Sequence, residues 1–129
     1  MNASNSILIV DDQQDFANML ADTLSEHDWQ AHVAFNGSDA LQMVEQYRPR
    51  VVLLDIAMLH MSGYDVAMEL HARYGSECPA LIAHTAWADN DLVRMQASLA
   101  GFESFLVKPA SLERVLSAIN RQSREPFRH

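Results

Sequence analysis

Val51, Val52, Leu53, Leu54 and Asp55 form the stretch whose reading decides the fold. Four apolar residues run unbroken and stop at a carboxylate. A run this short, made only of Val and Leu, predicts a strand buried on both faces, as in a parallel sheet covered by helices. Asp55 then stands just past the carboxyl end of that strand. In an open parallel sheet this edge is where ligands bind.

Working outward, a second continuous apolar run over residues 7–10 ends at Asp11 and Asp12. It predicts another central strand. A helix is expected over residues 15–26, with Phe16, Met19, Leu20, Thr23 and Leu24 at helical spacing. Residues 30–35 alternate Ala31, Val33 and Phe35 with polar or small neighbours, as a half-buried edge strand does. Asn36 and Gly37 signal a turn, and Ser38 is the expected N-cap of a short helix carrying Leu41, Val44 and Tyr47. Pro49 stops that helix before the strand Val51–Leu54.

Downstream, Gly63 opens a helix to Tyr74 with Val66, Ala67 and Leu70 inward, and Gly75 ends it. Residues 80–84 read as the fourth strand, with residues 85–88 as the connection after it. Asp89 or Asn90 caps a helix bearing Leu92, Val93 and Leu99, which Gly101 closes. Ser104–Val107 is the fifth strand, followed by Lys108 and Pro109. Ser111 caps a last helix with Leu112, Val115, Leu116 and Ile119 on one stripe, and residues 121–129 are expected to fray. Strands alternating with helices predict an α/β fold, a parallel sheet with right-handed crossovers and helices on both faces.

The 129 residues suit one domain, 1–129, with a core over about residues 7–120 and a C-terminal tail. No apolar run approaches the roughly 18 residues of a membrane span, and the N-terminus lacks the basic and apolar regions of a signal peptide. The single cysteine, Cys78, cannot form an internal disulfide, so a reducing, cytoplasmic location is expected. A net charge of −8 argues against direct nucleic-acid binding, which needs a basic surface, but not against divalent cations.

The parallel strands bring their carboxyl ends to one edge. There the first strand delivers Asp11 and Asp12, the third Asp55, the fourth Thr85 and the fifth Lys108. Clustered carboxylates repel one another, and a hard cation with oxygen ligands relieves this; Mg²⁺ is the common intracellular choice. A lysine and a hydroxyl beside a metal-bound carboxylate suit a transferring phosphoryl group, with the carboxylate as nucleophile.

These residues resemble a known family, the receiver domain of two-component response regulators, from residue 7 to residue 119. Its marks are Asp11 and Asp12 after an apolar strand, Asp55 followed by Ile56, Ala57 and Met58 with Met61 and Gly63 beyond, Thr85 and Ala86, and Phe105 to Pro109. The resemblance implies a doubly wound, flavodoxin-like sheet of order 2-1-3-4-5, as in chemotaxis-type single-domain receivers. It implies that Asp55 accepts a phosphoryl group from a histidine of a kinase or histidine phosphotransfer protein. Asp12, Asp55 and the Ala57 backbone carbonyl would bind Mg²⁺, with Asp11 holding a metal-bound water. Lys108 and Thr85 would contact phosphoryl oxygens, and Phe105 would rotate inward behind Thr85. The switched face would comprise the fourth helix, fifth strand and fifth helix, here carrying Val93, Met95, Gln96, Leu99, Arg114 and Ser117. Its partner would be another protein or a second copy of the chain. The Lys108–Pro109 peptide is often cis in such domains.

The chain also departs from the pattern. Leu59 replaces a usual proline, His84 a usual aliphatic residue, and the switch aromatic is Phe105, not Tyr. In this family the positions two residues after the phosphoacceptor and two after the threonine line the path of the attacking water. Here they are Ala57 and Trp87, neither suited to orient water, so slow hydrolysis of phospho-Asp55 is expected. The chain is then not a conventional enzyme: it performs self-phosphorylation from a donor and slow autodephosphorylation. With no room for a DNA-binding domain after the last helix, it is expected to stand alone or to be a receiver cut from a longer protein. Two other readings stay open: a degenerate receiver that only docks partners, and an Asp-nucleophile phosphohydrolase of the haloacid-dehalogenase type. The latter wants an acid where Ala57 stands. The six histidines show no metal-ligand spacing. His84, at the end of a buried strand, is expected to hydrogen-bond locally or to confer pH sensitivity. Cys78 is expected to be packed and inert.

Overall fold

The computed structural model of the chain describes residues 5–87 and 89–123. Its strands are β1 (Ser6–Val10), β2 (Gln30–Ala34), β3 (Val51–Leu54), β4 (Ala80–Thr85) and β5 (Ser104–Val107). Every residue of β1 and β3 is buried, which is why their sequences are unbroken apolar runs rather than alternating ones. All pairings are parallel, and the strand order is β2-β1-β3-β4-β5. β2 is an edge strand, exposed at Gln30 and half-buried along most of its length, as its alternation implies.

Among the described residues α1 (Gln14–Ser25), α2 (Gly37–Tyr47), α3 (Gly63–Tyr74) and α4 (Asp91–Ala100) connect successive strands, and α5 (Leu112–Ser123) follows β5. The sheet divides the apolar interior in two. Leu20 and Leu24 of α1 and Val115, Ala118 and Ile119 of α5 pack on one face with Ile7, Ile9 and Leu53. Val44, Val66, Ala67, Leu70, Ala97 and Ala100 from α2, α3 and α4 cover the other with Leu8, Val52 and Leu81. Among the described residues no helix is long and apolar enough to cross a membrane.

Several local expectations need correction. Met19 is 61% exposed, because Ala17, Leu20 and Leu24 form the buried stripe of α1 and Met19 falls beside it. Asn36, not Ser38, caps α2, its side chain accepting from the Asp39 amide at 2.8 Å. In α4 the buried residues are Ala97 and Ala100; Leu92 is exposed and Leu99 is 82% exposed. The small residues face the sheet, and the large ones point to solvent. Tyr47 also lies outside the core and stacks on His32 with centroids 3.9 Å apart. Residues 121–123 continue α5 instead of fraying; residues 1–4, Ala88 and residues 124–129, and the expectations that fall on them, lie outside the described residues.

The N-terminus of α3 matters most for the site. Ser62 and Asp65 form a reciprocal capping box. A Cβ on Gly63 would lie 2.5 Å from the Asp55 carbonyl oxygen and 2.7 Å from the Ile56 Cα, both backbone atoms. Only glycine lets the helix start this close to the chain that carries Asp55.

Candidate functional site

Backbone pairing fixes where the acidic residues stand. The Asp11 amide donates to the Ala34 carbonyl at 3.1 Å, and the Asp55 amide donates to the Val10 carbonyl at 3.0 Å. The Lys108 amide donates to the Thr85 carbonyl at 3.0 Å, and the Lys108–Pro109 peptide is cis. Each functional side chain thus leaves a paired strand at its carboxyl end.

Asp11 and Asp55 are buried, whereas Asp12 is exposed. Carboxylate oxygens of the three lie within 4.8 Å of one another. The Lys108 ammonium bridges two of them, 2.7 Å from Asp11 Oδ2 and 2.9 Å from Asp55 Oδ2. Asp11 Oδ1 accepts from the Gln13 amide at 2.9 Å, and Asp55 Oδ1 from the Ala57 amide at 3.2 Å. Burial raises the Asp55 carboxyl above its ordinary value; Lys108 pulls the other way, and Asp11 adds to the rise. Burial would lower the Lys108 ammonium, but its bonds to Asp11 and Asp55 outweigh that and raise it. An all-oxygen set of three carboxylates beside one ammonium fits a hard divalent cation.

Thr85, the last residue of β4, is buried, and the Trp87 amide approaches its Oγ1 at 3.5 Å. Trp87 itself is 57% exposed. It walls a cleft of about 450 Å³ together with Asp12, Ala57, Met58, Leu59 and Tyr64. Phe105 is half-buried, packs against the core on the α2–α4 side of the sheet, and lies under the Arg94 guanidinium, 5.7 Å from the ring centroid. It lines a groove with Glu113, Arg114 and Ser117 between β5 and α5.

One contact beside the site, made by Phe16, has no signal in the local sequence pattern. Phe16 of α1 lies 5.4 Å from the Lys108 ammonium and 5.5 Å, centroid to centroid, from the His84 ring. His84 is 2% exposed, and among the described residues its Nε2 has no hydrogen-bond partner. Burial and the nearby Lys108 charge lower its pKa to about 4, so it is neutral at physiological pH. Cys78 is half-buried against the α2–α4 side, and burial pushes its thiol up to about 11, as an unreactive thiol requires.

A parallel sheet ending in three aspartates, a lysine and a threonine defines a class of phosphoryl-accepting switch domains. The sequence agrees: the response regulator receiver domain matches residues 7–120, and the chain belongs to that family. It is 31% identical over 121 residues to the regulatory protein AtoC of Escherichia coli, covering 94% of this chain and 26% of that protein. It is 32% identical over 111 residues to the probable transcriptional regulatory protein TcrX of Mycobacterium tuberculosis, covering 86% of this chain and 46% of that one. The chain therefore spans about a quarter and about half of these curated relatives. Among solved structures, it is similar to the signal receiver domain of a signal transduction histidine kinase from Syntrophus aciditrophicus. That likeness has a TM-score of 0.84 and 26% identity, covering 97% of this chain and 94% of that one. The chain is a receiver domain of two-component signalling, a phosphoacceptor switch.

Proposed function

We propose that Asp55 is the phosphoacceptor, receiving a phosphoryl group from a histidine of a kinase or phosphotransfer protein. The observation that carries this is the bridged cluster: Lys108 between buried Asp11 and Asp55, with Asp12 completing three carboxylates within 4.8 Å. Asp55 Oδ2 now faces the ammonium that would follow its charge onto a phosphoryl oxygen. Asp12, Asp55 and the Ala57 carbonyl would hold Mg²⁺, and Asp11 would hold it through a water. Bound there, the cation offsets the negative charge of the phosphoryl oxygens. Thr85 contacts a further phosphoryl oxygen, and Phe105 follows it inward. That movement alters the α4–β5–α5 face, where a protein partner or a second copy reads it. The domain acts without direct nucleic-acid contact, in the cytoplasm, as one unit over residues 1–129 with its core at about 7–120.

The test is intact mass after incubation with Mg²⁺ and acetyl phosphate. One added phosphoryl group in the parent, absent in Asp55→Asn and absent with chelator, supports the reading. No gain in the parent from acetyl phosphate or from phosphoimidazole, despite Mg²⁺ binding, refutes it and leaves a receiver that only docks partners. The domain's own chemistry is self-phosphorylation from a donor and slow self-dephosphorylation. Ala57 and Trp87 offer no carboxylate or amide to hold an attacking water, so phospho-Asp55 is long-lived. If Trp87→Glu and Ala57→Asn leave the dephosphorylation rate unchanged, that part fails.

A further inference from the structure

Phe16 is the third residue of α1, and the carboxylate cluster itself sets where that helix starts. Asp11 Oδ1 accepts from the amide of Gln13, the residue before α1, while Asp11 Oδ2 pairs with the Lys108 ammonium at 2.7 Å. One carboxylate therefore anchors both the helix and the lysine. The Phe16 ring lies beneath the ammonium, 5.4 Å from Nζ to centroid. Its packing on the α1–α5 core and its contact with the buried His84 ring, 5.5 Å between centroids, hold it there. The Lys108 side chain is 16% exposed, so water screens the contact little. An ammonium has three N–H donors. Among the described residues, the oxygens that Lys108 Nζ meets belong to Asp11 and Asp55. The ring face attracts the charge as a whole and demands no directed hydrogen bond.

We propose that Phe16 is a positioning residue for phosphoryl transfer, its ring face keeping the Lys108 ammonium at the reacting group while Asp55 gives up its charge. The inference rests on Asp55 being the phosphoacceptor. In the transfer an Asp55 carboxylate oxygen forms the new bond to phosphorus. The bond from phosphorus to the donor breaks, and its electron pair leaves with the donor. The ammonium exchanges no proton. Asp55 thereby loses the charge that holds Lys108 on one side, and of the two carboxylates only Asp11 still holds it. A lysine on a flexible four-carbon stem would then follow Asp11 or gather water, and its charge would be lost to the phosphoryl oxygens. The ring face is unchanged by the step. It holds the ammonium in its seat while a donor turns from Asp55 Oδ2 to a phosphoryl oxygen. The contact counts for more once the hold of Asp55 weakens, so it favours the transition state over the resting site.

The experiment varies the electron density of the ring and keeps its shape. Phe16 is replaced by mono-, di- and trifluorophenylalanine, and separately by leucine as Phe16→Leu. Each protein is labelled with acetyl phosphate at saturating Mg²⁺, and the initial rate is read by intact mass. Fluorine withdraws electrons from the ring face and leaves its size and apolarity nearly as they were, so a ring that only packs gives equal rates. The rate is expected to fall with each added fluorine, reaching a loss of about 5- to 10-fold with the trifluorinated ring and in Phe16→Leu, the size of a largely desolvated cation–π contact. Equal rates along the fluorinated series, or a loss in Phe16→Leu that the fluorinated rings do not share, overturns the proposal while Asp55 stands as phosphoacceptor. If the parent itself gains no phosphoryl group, the phosphoacceptor reading falls and this inference falls with it.

Discussion

His84 gives a sharp prediction about stability and pH. Its ring is buried against Phe16, its Nε2 is unpartnered, and its pKa is lowered from 6.5 to about 4 by burial first and then by Lys108, with Asp11 opposing. Between those two values the unfolded chain takes up a proton at this position and the folded chain does not. The contribution to stability is therefore intact above pH 6.5 and is lost as pH falls toward 4. At 1.36 kcal/mol per pKa unit the full loss is about 3 kcal/mol, of which about 2 kcal/mol is gone by pH 5. His84→Leu keeps an apolar filler and removes both the titration and the orphaned nitrogen. In urea unfolding at pH 7.5 the variant should be at least as stable as the parent, since a buried unsatisfied polar atom costs about 1–3 kcal/mol. At pH 5 the gap should widen by about 2 kcal/mol, roughly 1 M in urea midpoint. Other groups titrate over this range, but they are common to both proteins and cancel in the difference. Parallel stability-versus-pH curves for parent and variant would refute the account of a neutral, trapped imidazole.

Three further outcomes follow from the geometry. Lys108→Ala leaves buried Asp11 and Asp55 facing each other without their cation, a loss of about 3 kcal/mol; added Mg²⁺ should stabilise the variant more than the parent, and equal stabilisation in thermal melts would contradict this. Gly63→Ala drives a Cβ into the Asp55 carbonyl and Ile56 backbone and should cost about 1–3 kcal/mol; it should also slow phosphorylation, whereas an unchanged melting temperature would show that the start of α3 yields freely. Asn90→Ala removes a side chain that accepts from the Leu92 and Val93 amides at 2.9 and 3.1 Å and should cost about 1 kcal/mol, read by chemical denaturation.

The central strands were plain in the sequence because burial on both faces leaves an unbroken apolar run, and the aspartates that end those runs form the carboxylate cluster. Val51–Leu54 and Ser104–Val107 fall where the pattern puts them. The helical faces were harder to read. Side-chain size suggested Leu92 and Leu99 as the inner stripe of α4, but Ala97 and Ala100 are the residues that face the sheet, leaving the leucines outside. The same bias put Met19 on the inner stripe of α1. Asn36 and Ser38 are both good cap residues two positions apart, and residue type alone does not choose between them. The contact of Phe16 with Lys108 and His84 joins α1 to the ends of β4 and β5. No local periodicity carries such a long-range meeting, nor the missing partner of His84 Nε2.

The parallel register has a consequence for which insertions and deletions the domain tolerates. Asp55 is hung from Val10 through its amide, Asp11 from Ala34 and Lys108 from Thr85. Losing one residue within Val51–Leu54 would draw Asp55 back by about 3.3 Å and turn its side chain to the opposite face of the sheet. The charged cluster would be dismantled while the strand kept its apolar composition. An added residue in the turn Gly75–Glu77, at the amino-terminal edge of the sheet and far from the carboxylates, shifts none of these anchors. Length variation compatible with signalling is therefore confined to one edge of the sheet, and the other edge is held to single-residue accuracy.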